Sequence, residues 1–195
     1  MKILAVTEMV QRRLGAFDQD SPYDDRDVLA IADGCRGMYI SQKYRQTGEV
    51  PAGDFIRPYE VDVTDDPTTG LKQIKLPIRI ANGVDNLGIR SITNPIAPFI
   101  AWNPIQVGRA SQFRLEDLGG IPAYWLEGQR IKVMGANGVT TARMLLIPCL
   151  LELDDDEEIF GDAEVEGIIA DMTVQKMMLK YQTPEINAND GAGNI

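Results

Sequence analysis

Five consecutive carboxylates, Asp154, Asp155, Asp156, Glu157 and Glu158, form the densest group of chemically capable side chains in the sequence. Clustered carboxylates can hold a hard cation or move protons in general acid–base chemistry. The spacing argues against both. A calcium loop of the EF-hand type that began at Asp154 needs Gly at its sixth position and Glu at its twelfth. Ile159 and Val165 stand there instead. Consecutive side chains of an extended segment also point in alternating directions, so the run cannot converge on one ion. It reads as a solvated loop leading into a helix N-terminus, where negative charge is favourable.

The other catalytic chemistries lack their residues. There is no histidine, which removes Ser-His-Asp and Cys-His catalysis and His-containing zinc sites. No phosphate-binding glycine loop and no G-x-S-x-G turn is present. Cys35 and Cys149 lie far apart in sequence and read as buried thiols rather than a disulfide. No catalytic residue, metal ligand or cofactor is expected. The net charge is -10. Residues 1–100 hold 12 basic and 14 acidic side chains, and residues 101–195 hold 7 and 15. An acidic chain without a basic cluster is a poor direct ligand for nucleic acid. The start MKILAVTEM is too short in apolar character for a secretory signal, and no stretch is long enough to span a membrane. A protein of a reducing compartment is expected.

The elements that would position any site are read from periodicity. Ile3, Val6, Met9, Val10 and Leu14 recur at helical spacing, with Gly15 at the expected stop. Ser21 fits the cap of a second helix, Pro22 its first turn, and Asp24, Asp25 and Asp27 its positive end. Val28, Leu29, Ala32, Cys35, Met38 and Tyr39 make its apolar face. Gly34 and Gly37 each cost about 1 kcal/mol in a helix relative to Ala. Close approach of another helix or of a neighbouring subunit is the expected reason for keeping them.

The middle of the chain reads as β structure. Tyr59, Val61 and Val63 alternate with charged residues, and Ile74, Leu76, Ile78 and Ile80 alternate after the turn DDPTTG. That pattern predicts a hairpin with one buried face. Asn94 to Gly120 is rich in Pro and Gly without a clean period and is expected to be loop with one short helix at most. YWLEGQRIKVM predicts two short strands, and ARMLLIPCLLEL a strand lying at an edge or bulged at Pro148.

The last third predicts one helix and a tail. Val165, Ile168, Ile169, Met172, Met177, Leu179 and Tyr181 spread beyond one stripe, which predicts contacts on more than one side. Asp162 is a candidate cap, and Lys176 and Lys180 suit the C-terminal end. From Gln182 the chain is polar and rich in Asn and Gly, with Pro184 stopping the helix. The expected fold class is α+β: an N-terminal helix pair within 1–44, an antiparallel β meander over 55–153, and a long C-terminal helix over 162–181. These form a single domain over 1–181, followed by an extended polar tail over 182–195.

This arrangement resembles the head–tail adaptor proteins of tailed bacteriophages, of the podovirus-like kind, and most of all the virion ring proteins of crAss-like phages. DSPYDDRDVLAIADGCRGMYI is similar to the family's second helix, and YWLEGQRIKVMGANG to its second hairpin. FGDAEVEGIIADMTVQKMMLKYQTPEINANDG is similar to its terminal helix and tail. The resemblance covers most of the chain, and the Asn94–Gly120 segment is longer than in minimal adaptors. It implies a virion protein made in the bacterial host cytoplasm, acting in a closed ring of usually twelve copies. The ring would join the portal to downstream tail or ring proteins and surround a channel through which DNA passes without specific binding. Tyr181, Thr183, Pro184, Ile186, Asn187, Asp190 and Ile195 are the candidate portal-docking residues of the tail. Asp154 to Glu158 are candidates to line the channel or to form an outer solvated loop. Another tail or capsid-associated structural protein is the alternative. A metal-dependent enzyme using acidic residues is the weaker third reading.

Overall fold

The computed structural model describes residues 3–15, 23–49, 55–81, 88–105, 119–154, 157 and 163–182. The fold is α+β, with two helices, nine strands in two antiparallel-rich sheets, and a final helix among the described residues. Helix α1 (Ile3–Leu14) buries Ile3, Val6 and Val10 on one face and ends at Gly15, whose φ of 71° suits a residue without Cβ. Helix α2 (Asp25–Thr47) is capped by Asp24, which accepts from the Arg26 N–H, rather than by Ser21. The helix starts after Tyr23 and Asp24, and Ser21 and Pro22 lie outside the described residues. At the other end the N–H of Gly48 (φ 74°) closes the last turn onto Tyr44 O. Val28, Ala32, Cys35, Tyr39 and Ile40 face the core, but Met38 is exposed. No described residue crowds Gly34, where an added Cβ would meet nothing within 4 Å. Close approach by another described residue therefore does not explain that glycine.

Helix α3 (Ala163–Gln182) packs against both α2 and α1. Ile169, Ala170 and Met177 are buried there, which accounts for part of the broad apolar spread. A single 3-10 turn, Leu150–Glu152, also sits against α2. These elements enclose one apolar cluster, with Phe55 and Ile147 completing it. Burial pushes the thiols of Cys35 and Cys149 up, and both are free cysteines.

The second cluster lies between two sheets. The first sheet has the order β1 (Arg57–Asp62), β9 (Thr141–Leu146), β4 (Ile89–Asn94), β5 (Ala97–Ala101). The second has β2 (Thr64–Asp65), β3 (Lys72–Lys75), β8 (Arg130–Met134), β7 (Ala123–Glu127), β6 (Asn103–Pro104). Val61, Ile92, Ala142, Met144 and Leu146 of the first meet Ile74, Tyr124, Ile131 and Val133 of the second. Alternation along each strand places these residues on the inner faces.

The expected hairpin across DDPTTG survives only at its tip, where Thr64 and Asp65 pair with Gln73 and Lys72. The rest of that strand, Arg57–Asp62, pairs with β9 in the other sheet. The chain changes sheet at Val63, whose N–H bonds Thr140 O at 2.8 Å and whose side chain stays buried. The turn itself is held by Asp66, whose carboxylate takes Lys132 Nζ at 2.5 Å and the Thr68 N–H at 3.1 Å. Those donors, Lys132 first, hold its carboxyl well below the usual range. Past Lys75 the alternation Leu76, Ile78, Ile80 leaves the ladder at Pro77, which has no N–H to give. Pro148 does not mark an edge: β9 is flanked by β1 and β4, and the proline lies beyond its end in a single bridge with Ile80. The Asn94–Gly120 segment is not all loop either. It includes β5 and β6, and β6 runs parallel to β7.

Candidate functional site

Of the sequence-predicted channel residues, Asp154 is exposed and Glu157 is half-buried, while Asp155, Asp156 and Glu158 lie outside the described residues. Glu157 is not a free loop residue. Its N–H bonds Asp154 O at 2.9 Å, its carbonyl accepts from the Ile3 N–H at 3.3 Å, and its Oε2 is buried without a hydrogen-bond partner among the described residues. The solvated-loop reading therefore holds for Asp154 and fails in part at Glu157. Among the described residues no group of three or more acids or cysteines could hold a metal. Replacing Asp154–Glu158 with Asn and Gln is expected to move the melting temperature by no more than about 2–4 °C, the equivalent of about 1 kcal/mol. A drop several times larger, read by thermal unfolding, would mean that the run is held by a buried partner or a cation. Tyr181 lies in the last turn of α3. Thr183, Pro184, Ile186, Asn187, Asp190 and Ile195 lie outside the described residues.

The surface that stands out was missed at the level of sequence. Strands β4 and β5 form a hairpin turned at Pro95–Ile96, where Asn94 Oδ1 accepts from the Ile96 N–H at 3.0 Å. At its tip and outer strand Ile96 is 92% exposed, Phe99 98% and Ile100 50%. Fully burying three such side chains would contribute roughly 5–9 kcal/mol, so leaving them in water is a cost the monomer does not need to bear. The base of the hairpin is firmly held. Trp102 is buried, its N–H bonds Ile92 O at 2.8 Å, and the Asn103 N–H bonds Pro122 O at 2.8 Å. The chain thus crosses at Trp102 from the first sheet to the second. A signal for this arm was present: no charged residue occurs between Arg90 and Arg109.

The sheet edges explain how such an arm meets a partner. Pro58 sits in edge strand β1, Pro98 in edge strand β5 and Pro104 in edge strand β6. The remaining edge, β2, is two residues long. Proline and short length blunt an edge against strand addition. The hairpin is therefore suited to contact through side chains rather than through its backbone. Further apolar side chains are exposed on the helices: Met38 and Tyr44 on α2, and Ile168, Met178 and Leu179 on α3.

A second feature hidden from sequence reading is a buried ion pair. Arg36 Nη2 lies 2.8 Å from Asp33 Oδ1, and both side chains are fully buried in the middle of α2. Arg36 also donates to Pro148 O, and Asp33 accepts from the Leu150 N–H at 3.1 Å. The pair ties α2 to the chain that leaves β9. Burial pulls the guanidinium pKa down and Asp33 opposes it. Arg36 Nε and Nη1 have no hydrogen-bond partner among the described residues. A guanidinium already engaged by Asp33 and a carbonyl is a structural clamp.

Compared with known proteins, the chain matches no family model and no curated protein.

Proposed function

We propose that the protein is a structural virion component: a head–tail connector subunit that closes into a ring between portal and tail, of twelve copies by the family resemblance. The observation that carries this reading is the rigidly based, uncharged hairpin with Ile96, Phe99 and Ile100 in solvent. Apolar side chains on α2 and α3 form a second and different exposed set. A subunit with two unlike contact surfaces can join head to tail, and head-to-tail contacts close into rings when the rotation permits. No step of this role needs a catalytic residue. In the ring, Asp154–Glu158 would face the channel, where like charge keeps passing DNA from adhering.

The tail from Thr183 docks on the portal in this reading, through Pro184, Ile186, Asn187, Asp190 and Ile195, with Tyr181 at the helix end. Extended segments of this composition gain order on a partner and bind through backbone hydrogen bonds and a few anchors. The test is co-sedimentation with a purified portal ring. The full chain is expected to sediment with the portal. A chain truncated after Tyr181 is expected to keep its melting temperature and lose the attachment. Failure of the full chain to bind counts against the connector role. Unchanged binding of the truncated chain moves the contact off the tail.

A further inference from the structure

We propose that Asn137–Gly138 is a self-modifying site, at which the Asn137 amide converts to aspartate and isoaspartate without an enzyme. The inference stands apart from the connector reading and needs neither a ring nor a portal. An asparagine side chain closes onto the backbone nitrogen of the next residue when that nitrogen carries a hydrogen, has room around it, and is not held in a hydrogen bond. This closure makes asparagine a thermolabile residue. Three asparagines lie in the described residues, Asn94, Asn103 and Asn137. Pro95 and Pro104 follow the first two, and a proline nitrogen has no hydrogen to lose. Of the three, Asn137 alone is followed by a residue with an N–H, and that residue is glycine.

The turn sets the reacting groups in the open. The Val139 N–H bonds Ala136 O at 3.2 Å, which places Asn137 and Gly138 at the two central positions. Both are exposed. Neither the Asn137 amide nor the Gly138 N–H is engaged in a hydrogen bond among the described residues. A Cβ built on Gly138 would meet nothing within 4 Å, so nothing crowds the nitrogen and water reaches the product. The step balances without an oxidant or a cofactor. Gly138 N gives up its proton and attacks Asn137 Cγ. The N–Cγ bond forms, the Cγ–Nδ2 bond breaks, and Nδ2 leaves as ammonia with that proton. Water then opens the five-membered imide at either carbonyl. One opening gives aspartate at position 137. The other gives isoaspartate, whose main chain runs through Cβ.

The position of the turn gives the change a structural consequence. The turn carries the chain from β8 in the second sheet to β9 in the first. Ala136 is buried on one side of it, and Val139 packs on the cluster between the sheets on the other. Thr140 O then holds the Val63 N–H at 2.8 Å. Isoaspartate inserts one more backbone carbon between these anchors and adds a negative charge to a chain already at -10. Aspartate adds the charge alone.

The test is incubation of the full-length protein in warm neutral buffer, followed by peptide mapping in a mass spectrometer. The peptide that holds Asn137 is expected to gain the mass of an NH2-to-OH exchange. It is also expected to become a substrate for isoaspartyl methyltransferase, with S-adenosylmethionine as methyl donor. Asn137→Gln keeps the amide but needs a six-membered ring, and this variant is expected to lose the conversion at that position. Isoaspartate is expected to lower the melting temperature in proportion to its fraction, whereas Asn137→Asp is expected to melt with the untreated protein. Equal melting of the isoaspartate form and the untreated protein would overturn the strain assigned to the turn. Conversion that occurs only when the protein is unfolded in urea would overturn the proposal, because the folded turn would then be protective. A mass gain confined to the peptide with Asn82–Gly83, or no gain at all, would overturn it as well.

Discussion

Asp33→Ala is expected to destabilise the protein by about 3–5 kcal/mol, a large part of the total for a domain of ordinary stability. The substitution leaves the Arg36 guanidinium charged and buried, and it removes the acceptor of the Leu150 N–H. A guanidinium cannot shed its proton to escape. Arg36→Met should be milder, because a lone buried carboxylate can take up a proton and become neutral. The double variant Asp33→Leu with Arg36→Met removes both charges. It still leaves the Leu150 N–H and Pro148 O without their present partners, at about 1–3 kcal/mol each when buried. The expected order of stability in denaturant unfolding is wild type, then the double variant and Arg36→Met close together, then Asp33→Ala. Equal and small losses for all three would show that the pair is solvated and does not clamp α2 to the end of β9.

Replacing Ile96 and Phe99 together with Asp is expected to leave the folded monomer as stable as wild type while abolishing ring assembly. Both side chains are almost wholly exposed, so the monomer loses no packing. At an interface each would bury about 1.5–3 kcal/mol of apolar surface. Losing both weakens each contact by about 3–6 kcal/mol, or roughly 10²–10⁴-fold. Two buried carboxylates per contact add to that. The readouts are melting temperature and sedimentation velocity with the portal present. A large fall in melting temperature would show that the hairpin packs on its own subunit. Unchanged assembly would place the subunit contact on the helices.

Much of the fold was legible in the residues. Ile3, Val6 and Val10 set α1, and the run from Ala163 to Tyr181 falls within α3, because local periodicity and end signals act within one element. The β7–β8 hairpin was legible for the same reason: its strands pair across Gly128 and Gln129. Pairing between distant strands was not. Nothing in Arg57–Asp62 names Thr141–Leu146 as its partner, and the bend at Val63 that sends the chain to another sheet depends on Thr140. The β4–β5 hairpin was hidden because Pro95, Pro98 and Pro104 look like loop residues, whereas in the folded protein two of them mark edge strands. Arg36 and Asp33 were hidden because charges on a helix ordinarily face water. Only the chain past Pro148 reveals that theirs do not.

The proposed closure of copies of this chain into a ring is tested most directly by cryo-electron microscopy of the protein bound to a portal. The predicted image is a continuous ring around an open channel. Density from the tail after α3 reaches the portal. Single copies scattered on the portal, or a ring in which every β4–β5 hairpin stands in solvent, would contradict it.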